Sequence, residues 1–300
     1  MAGRPFISLH AGAHYAASEA LYRYVAANRA ALEAAGYAVK APEGVLDGGW
    51  AGAALPDAGV ALPDLNVYAA GLAAALRPVA AGARRGLVLS RPDLAGTAAE
   101  ILGGRFFPSA GLRGTALRMA LGARVDTMVF AIQPYDQFFL QAWRRAAIEG
   151  AVGAFDDYTK VMAGFAGGWV ETVEALADAL GASRVVVTAA AAHDLRAVLP
   201  ALMPEADLAG TRLPEPPVPV TDSAIAMFQR HLKMGTPFAP GQRERLLAFH
   251  ARLPQAKMRA GFDWLPLADM RGRYVGDMDL LGRMAGVEVV GSPLAAIAAE

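Results

Sequence analysis

Short unbroken apolar runs alternate along this chain with longer stretches whose apolar residues recur at helical spacing. Phe6 to His10 predicts a buried strand. Gly86–Ser90, Val125–Ile132 and Arg184–Thr188 predict three more, and Tyr37–Lys40 a short edge strand. Between them, Ser18 to Ala35 reads as a helix with Leu21, Tyr24, Val25, Asn28, Ala31 and Leu32 near one face, ended by Gly36. Helices are likewise predicted over Leu65–Val79, Leu112–Leu121, Tyr135–Gly150, Trp169–Leu180 and His193–Leu202. Strand and helix alternate from residue 6 to about 204, which predicts an α/β fold of three layers: a mostly parallel central sheet flanked by helices.

Two stretches break the rhythm. Residues 41–64 are rich in Gly, Pro and Ala and read as an extended loop. Leu213-Pro214-Glu215-Pro216-Pro217-Val218-Pro219 is a stiff proline segment. Helical patterns follow at 221–233, 241–253 and 276–285, with a short Val287–Val290 run. The expected organisation is a single domain, with an α/β core over about 1–212 and a helical C-terminal cap over about 220–300.

Composition narrows the partners. Hydrophobic residues make up 55% and charged residues 19%, the balance of a globular chain. The 28 basic and 28 acidic residues cancel, so no field of one sign attracts nucleic acid, and none is expected as a partner. The absence of cysteine excludes disulfides, thiolate nucleophiles and thiolate metal sites. No His/Asp/Glu cluster has metal-ligand spacing, so no metal is expected. The chain opens without the apolar run of a signal peptide, and no uncharged apolar run approaches the ~20 residues of a membrane span. No membrane partner is therefore expected, and the expected location is the cytoplasm.

Candidate chemistry concentrates in Ile7-Ser8-Leu9-His10-Ala11-Gly12-Ala13-His14-Tyr15-Ala16-Ala17-Ser18-Glu19. This is a strand, a small-residue loop and the start of a long helix, the layout of a phosphate-binding loop. Glycine lets the backbone curl so that several N–H groups face one anion, and the helix N-terminus adds roughly half a positive charge. In an open parallel sheet, ligands sit beyond the carboxyl ends of the strands. Here those ends are His10–Ser18, Ser90–Asp93, Ile132–Asp136 and Thr188–Asp194.

The order and spacing of these segments resemble the bacterial branch of the P-loop sulfotransferase family, over nearly the whole chain. His10-Ala11-Gly12-Ala13-His14-Tyr15-Ala16-Ala17-Ser18-Glu19 matches in position the family's loop H-x-G-x-x-K-T-G-T-[TS]. Tyr24-Val25-Ala26-Ala27-Asn28-Arg29-Ala30-Ala31-Leu32 is similar to the family's helix ending. Leu87–Ser90, Phe130–Trp143 and Tyr274-Val275-Gly276-Asp277-Met278-Asp279-Leu280-Leu281 also look familial. The resemblance implies a three-layer P-loop sulfotransferase-like fold. It implies transfer of a sulfuryl group from 3′-phosphoadenosine-5′-phosphosulfate to a hydroxyl of a glycan or small metabolite. That donor is implied by the resemblance alone. Gly12, Ala13, Tyr15, Ala16, Ala17, Ser18 and Glu19 would line the donor phosphate, and Gln133 and Gln141 would stand at its 3′-phosphate contacts.

The departures from the family pattern all remove phosphate chemistry. Tyr15 stands at the Lys position, Ala16 and Ala17 at Thr and Gly, and Glu19 at the last hydroxyl; Ser18 keeps one hydroxyl. Loss of the Lys removes a charge-assisted contact worth roughly 1.5–3 kcal/mol. A carboxylate beside a bound phosphate is repelled by several kcal/mol unless it is neutralised or turned away. Gln133 and Gln141 replace the family's Arg and Ser, and Gln offers neither the charge nor the bidentate fork of Arg. Three readings stand: a sulfotransferase-like enzyme, a pseudoenzyme kept as a binding or assembly module, and a transferase with a different donor.

Single residues have two readings each. His14 is the candidate catalytic group, as general base or sulfuryl-oxygen donor. His10 reads as a buried structural histidine. Ser18 and Glu19 read equally as an N-cap and a first-turn carboxylate favourable to the helix dipole. Asp93 reads as an N-cap before a helix at 94, or as an acidic ligand contact. Arg91 is a candidate for restoring the lost positive charge. Tyr135, Phe138, Phe139 and Trp143 read as core, Arg144 and Arg145 as solvated, and His231 and His250 as surface positions.

Overall fold

A computed structural model of the chain describes residues 4–12, 18–42, 50, 53–189, 195–208, 210–213, 218, 220–253 and 260–298. The strands are β1 (Phe6–His10), β2 (Tyr37–Lys40), β3 (Gly86–Ser90), β4 (Thr127–Ile132), β5 (Arg184–Ala189) and β6 (Val287–Val290). The first helices are α1 (Ser18–Ala34), α2 (Leu65–Ala80), α3 (Ala98–Leu102), α4 (Ala110–Leu121), α5 (Tyr135–Glu149) and α6 (Asp156–Ala163). Then come α7 (Trp169–Leu180), α8 (Leu195–Leu202), α9 (Asp222–Lys233), α10 (Gln242–Arg252), α11 (Trp264–Arg283) and α12 (Pro293–Ala298).

All six strands pair in parallel, in the order β2-β3-β1-β4-β5-β6. The apolar strand runs follow from this: a parallel strand covered on both faces has no solvent side to alternate towards. Side chains divide cleanly between the faces. Ile7, Leu9, Leu87, Leu89, Met128, Phe130, Val185 and Val187 join the larger core, under α2, α4, α5, α7 and α11. Val88, Val129 and Val186 join the smaller core on the other face, with Leu21, Tyr24 and Val25 of α1 and Val198, Leu199 and Leu202 of α8. The protein is thus an α/β fold with a parallel sheet between two helical layers.

Several elements differ from expectation. The C-terminal region is more than a helical cap, because β6 extends the sheet along β5 from Val185↔Val287 to Thr188↔Val290. α11 starts at Trp264, twelve residues before the predicted helix at 276. Its Pro266 falls in the first turn, where the missing N–H costs nothing. Asp93 caps no helix. The turn after β3 runs on to α3, whose N-cap is Thr97; its side chain accepts from the Glu100 N–H while the Glu100 carboxylate accepts from the Thr97 N–H. His250 is buried, 3% exposed, with its Nδ1 3.0 Å from Ser223 Oγ. Arg144 pairs with Asp222 across the α5–α9 contact at 2.7 Å.

The Tyr24–Asn28 face of α1 has a structural task. Asn28 is buried; its Nδ2 donates to the Arg212 carbonyl at 2.9 Å and its Oδ1 accepts from the Arg212 N–H at 2.9 Å. The Tyr24 hydroxyl donates to Thr211 Oγ1 at 2.9 Å. This side-chain amide completes both backbone groups of Arg212, as a neighbouring strand would, and fixes the chain where it leaves the core for α9.

Candidate functional site

The strand order dictates where a ligand would bind. The chain leaves β1 towards β2 on one side and leaves β4 towards β5 on the other. The carboxyl ends of β1 and β4 therefore border the topological switch point of the sheet. β1 stays hydrogen-bonded beyond its last residue: Ala11 N–H donates to the Val129 carbonyl at 2.9 Å, and Ala131 N–H donates to the Gly12 carbonyl. Gly12 then turns with φ 114°, a left-handed conformation that a side chain would resist. Six residues later α1 begins, with its N-terminus at the same end of the sheet.

Of the expected site residues, Gly12 lies at this turn. Ala13, His14, Tyr15, Ala16 and Ala17 lie outside the described residues. Ser18 and Glu19 open α1. Gln133 follows β4 directly and is 1% exposed; its Nε2 meets no hydrogen-bond acceptor among the described residues. The backbone carbonyl of Gln133 accepts from Trp169 Nε1 at 3.0 Å, which fixes the strand exit against α7. Gln141 is half-buried on α5, six residues beyond the helix start, or about 9 Å along its axis. His10 is fully buried with Nδ1 3.0 Å from Ser90 Oγ, the structural role read for it.

β3 leaves the sheet beside β1, and its exit carries a cluster that sequence spacing conceals. Arg91 N–H donates to the His10 carbonyl at 2.9 Å. The Arg91 side chain is 4% exposed; its Nε and Nη2 fork onto the Asp93 carboxylate at 2.8 and 3.1 Å, and Nη2 also donates to the Ala53 carbonyl at 2.9 Å. Its guanidinium lies over the ring of the buried Trp50, 5.2 Å from the centroid. Arg113 on α4, 3% exposed, donates to the carbonyls of Pro56 (2.8 Å) and Asp93 (3.0 Å) and to Asp57 Oδ1 (3.1 Å). Burial pushes the Asp93 carboxyl above its ordinary range, against the opposing pull of Arg91 and Arg113. Two arginines thus bind the loop at 53–57 to the exit of β3. Arg91 and Asp93 carried a sequence signal; Trp50 and Arg113 lie tens of residues away from their partners.

A second buried polar cluster joins α5, α7 and α11. The Tyr135 hydroxyl donates to Asp277 Oδ2, and the Trp169 N–H at the start of α7 donates to Tyr135 Oη at 2.8 Å. Arg273 donates to the Gly167 carbonyl and covers the Phe165 ring at 4.2 Å. A cleft of about 450 Å³ lined by Arg29, Glu33, Tyr37 and Arg84 lies at the amino ends of β2 and β3, opposite the end where such sheets bind ligands.

Fold and site together define a doubly wound α/β protein with its polar exits gathered around β1. No family model, curated protein or solved structure matches this chain. Among the described residues, no group of three or more His, Asp or Glu could hold a metal ion, and no helix is long and apolar enough to cross a membrane.

Proposed function

We propose that this chain is a sulfotransferase-like protein that binds a ligand at the carboxyl ends of β1 and β4 and acts as a binding or assembly module, without transferring a sulfuryl group. The observation that carries this reading is Gln133. By the sequence resemblance it stands where the family carries its 3′-phosphate Arg, and it is a neutral amide, 1% exposed. An amide N–H can hold one ligand oxygen, but it brings no charge to a phosphate dianion in a desolvated place. The loop from His10 to Glu19 contains no Lys or Arg to compensate. The residues present do not fit the phosphates of 3′-phosphoadenosine-5′-phosphosulfate. They suit a ligand that carries less charge, met by the amide of Gln133 and the N-terminus of α1.

The reading in which transfer is kept draws its support from the central place of β1 and the turn at Gly12. On that reading a hydroxyl of a glycan or small metabolite is the acceptor, and His14 takes its proton.

Calorimetry with 3′-phosphoadenosine-5′-phosphate separates the two. We expect no binding heat from the natural chain, and binding by the triple variant Tyr15→Lys/Glu19→Thr/Gln133→Arg. Micromolar binding by the natural chain would overturn the module reading and call for a screen of acceptors.

A further inference from the structure

The Arg91–Trp50 cluster has more donors than the described residues use. Arg91 Nη1 and Trp50 Nε1 are both buried, and neither meets an acceptor among the described residues. The other guanidinium nitrogens of Arg91 are committed to Asp93 and Ala53, so among the described residues Nη1 is the nitrogen left unmet. Native proteins rarely leave a charged donor buried and unmet, because its desolvation is uncompensated. The cluster is also unbalanced in charge. Two guanidinium groups, 4% and 3% exposed, face one nearby carboxylate of low exposure, Asp93. The second acidic partner, Asp57, is 81% exposed, where solvent screens it. Among the described residues of the cluster, buried guanidinium groups outnumber carboxylates of low exposure by one.

The place matters as much as the charge. Arg91 is hydrogen-bonded to His10 through its backbone, one strand away from the Gly12 turn. Neighbouring strands lie about 4.8 Å apart, so the Arg91 backbone and the β1 exit lie within the span of one small ligand. Both groups are donors, so the complement is an acceptor; because one donor is a buried guanidinium and the nearest second carboxylate, Asp57, is exposed, an anionic acceptor fits best.

We propose that Arg91 and Trp50 form a subsite for a singly charged oxyanion, a carboxylate or a sulfate monoester, on a ligand that also occupies the exit of β1. Arg91 Nη1 supplies the charged hydrogen bond. The Trp50 ring holds the guanidinium flat, and Asp93 and Ala53 fix its rotation, so the donor is preorganised. This subsite rests on placing the ligand crevice at the carboxyl ends of the strands. It supplies the positive charge that the loop after β1 lacks.

The test follows the Trp50 indole N–H in ¹H–¹⁵N spectra of the full chain, assigned with Trp50→Phe. Sodium methyl sulfate and sodium acetate are titrated against sodium chloride at constant ionic strength. We expect a saturable shift of the Trp50 signal with one or both oxyanions and none with chloride. Arg91→Lys keeps the charge but loses the fork, and should weaken the response about tenfold or more. Arg91→Gln/Asp93→Asn removes both charges together, so that neither is left buried and unpaired, and should abolish it. No saturable oxyanion shift, a shift matched by chloride, or an undiminished response in the double variant would each overturn the subsite. Nucleotide calorimetry judges the module reading separately: nucleotide binding would sink that reading alone, and a silent Trp50 would sink the subsite alone.

Discussion

The Tyr135 hydroxyl at the start of α5 donates to the Asp277 carboxylate in the middle of α11, 142 residues away along the chain. The N–H of Trp169 closes on the same pair, at 2.8 Å from Tyr135 and 3.3 Å from Asp277. Asp277 thereby serves the N-terminus of α7 as a capping carboxylate supplied from a distant helix. Gly168 makes the approach feasible: a Cβ there would lie 2.8 Å from the Tyr135 hydroxyl oxygen. Asp277→Ala leaves the buried Tyr135 hydroxyl without its acceptor and the Trp169 N–H with Tyr135 alone, and should cost about 1–3 kcal/mol. Tyr135→Phe removes the donor to Asp277 and the nearer acceptor of the Trp169 N–H, and should cost about 1–2 kcal/mol. Urea unfolding checks both; a loss below about 0.5 kcal/mol for Asp277→Ala would show that the contact carries no weight.

The same carboxylate predicts a pH dependence. Burial raises the Asp277 carboxyl above its ordinary 3.8, outweighing the Tyr135 hydrogen bond, Arg273 and the Trp169 N–H, with Glu171 adding a smaller upward push. Asp93 is raised from 3.8 by the same cause. The folded protein then binds these protons more tightly than the unfolded chain does. From about 3.8 up to the raised folded values, stability contributed by these groups falls as pH rises. Below that window both states are protonated and the contribution is flat. Subtracting the Asp277→Asn profile from the parent profile should leave a falling curve above pH 3.8. A rising difference curve would contradict the assignment.

Two helical glycines should respond in opposite directions to alanine. A Cβ on Gly114 of α4 would lie 2.9 Å from the Ala179 Cβ of α7, and neither atom belongs to a flexible side chain. Gly114→Ala should destabilise by about 1–2 kcal/mol, because overpacking exceeds the gain in helix propensity. Gly71 in α2 is exposed with open space around it, and Gly71→Ala should stabilise by about 0.5–1 kcal/mol. Thermal melts of the two variants would move apart; shifts of the same sign would show that α4 and α7 can separate at little cost.

Gln133→Leu tests whether a buried donor is kept for a ligand. The amide Nε2 is buried without an acceptor, so an apolar side chain of similar size should stabilise the fold by up to about 1–2 kcal/mol. A gain in melting temperature would mark Gln133 as held at a cost to stability. A loss would mean that the amide has a structural partner.

Much of the architecture was legible because the strands are covered on both faces. Leu87-Val88-Leu89 and Val185-Val186-Val187 have no polar positions to confuse with helical spacing, and Gly36 and Gly181 mark helix ends through positive φ. Short helices were missed where length hid the period. α3 spans five residues, although the Thr97…Glu100 pair that caps it stands in the sequence. His250 was misread because α10 is largely polar, so nothing local announces the contact with Ser223. The site was half legible. Gly12 and Gln133 follow from strand ends, which sequence locates. Trp50 and Arg113 reach the β3 exit only through the fold, from a loop without periodicity and from a helix whose other arginine in the last turn, Arg118, is half-exposed.

The pairing of β6 with β5 has a consequence for synthesis. Val185–Thr188 is bordered on one side by β4, but its other edge waits for Val287–Val290. At about 5–20 residues per second, the ribosome needs roughly 5–20 s to deliver the ~100 intervening residues. During that interval a Val-Val-Val-Thr edge stands open, a sequence well suited to pairing with another chain. A nascent chain halted before β6 should therefore be a better chaperone client than one released after it.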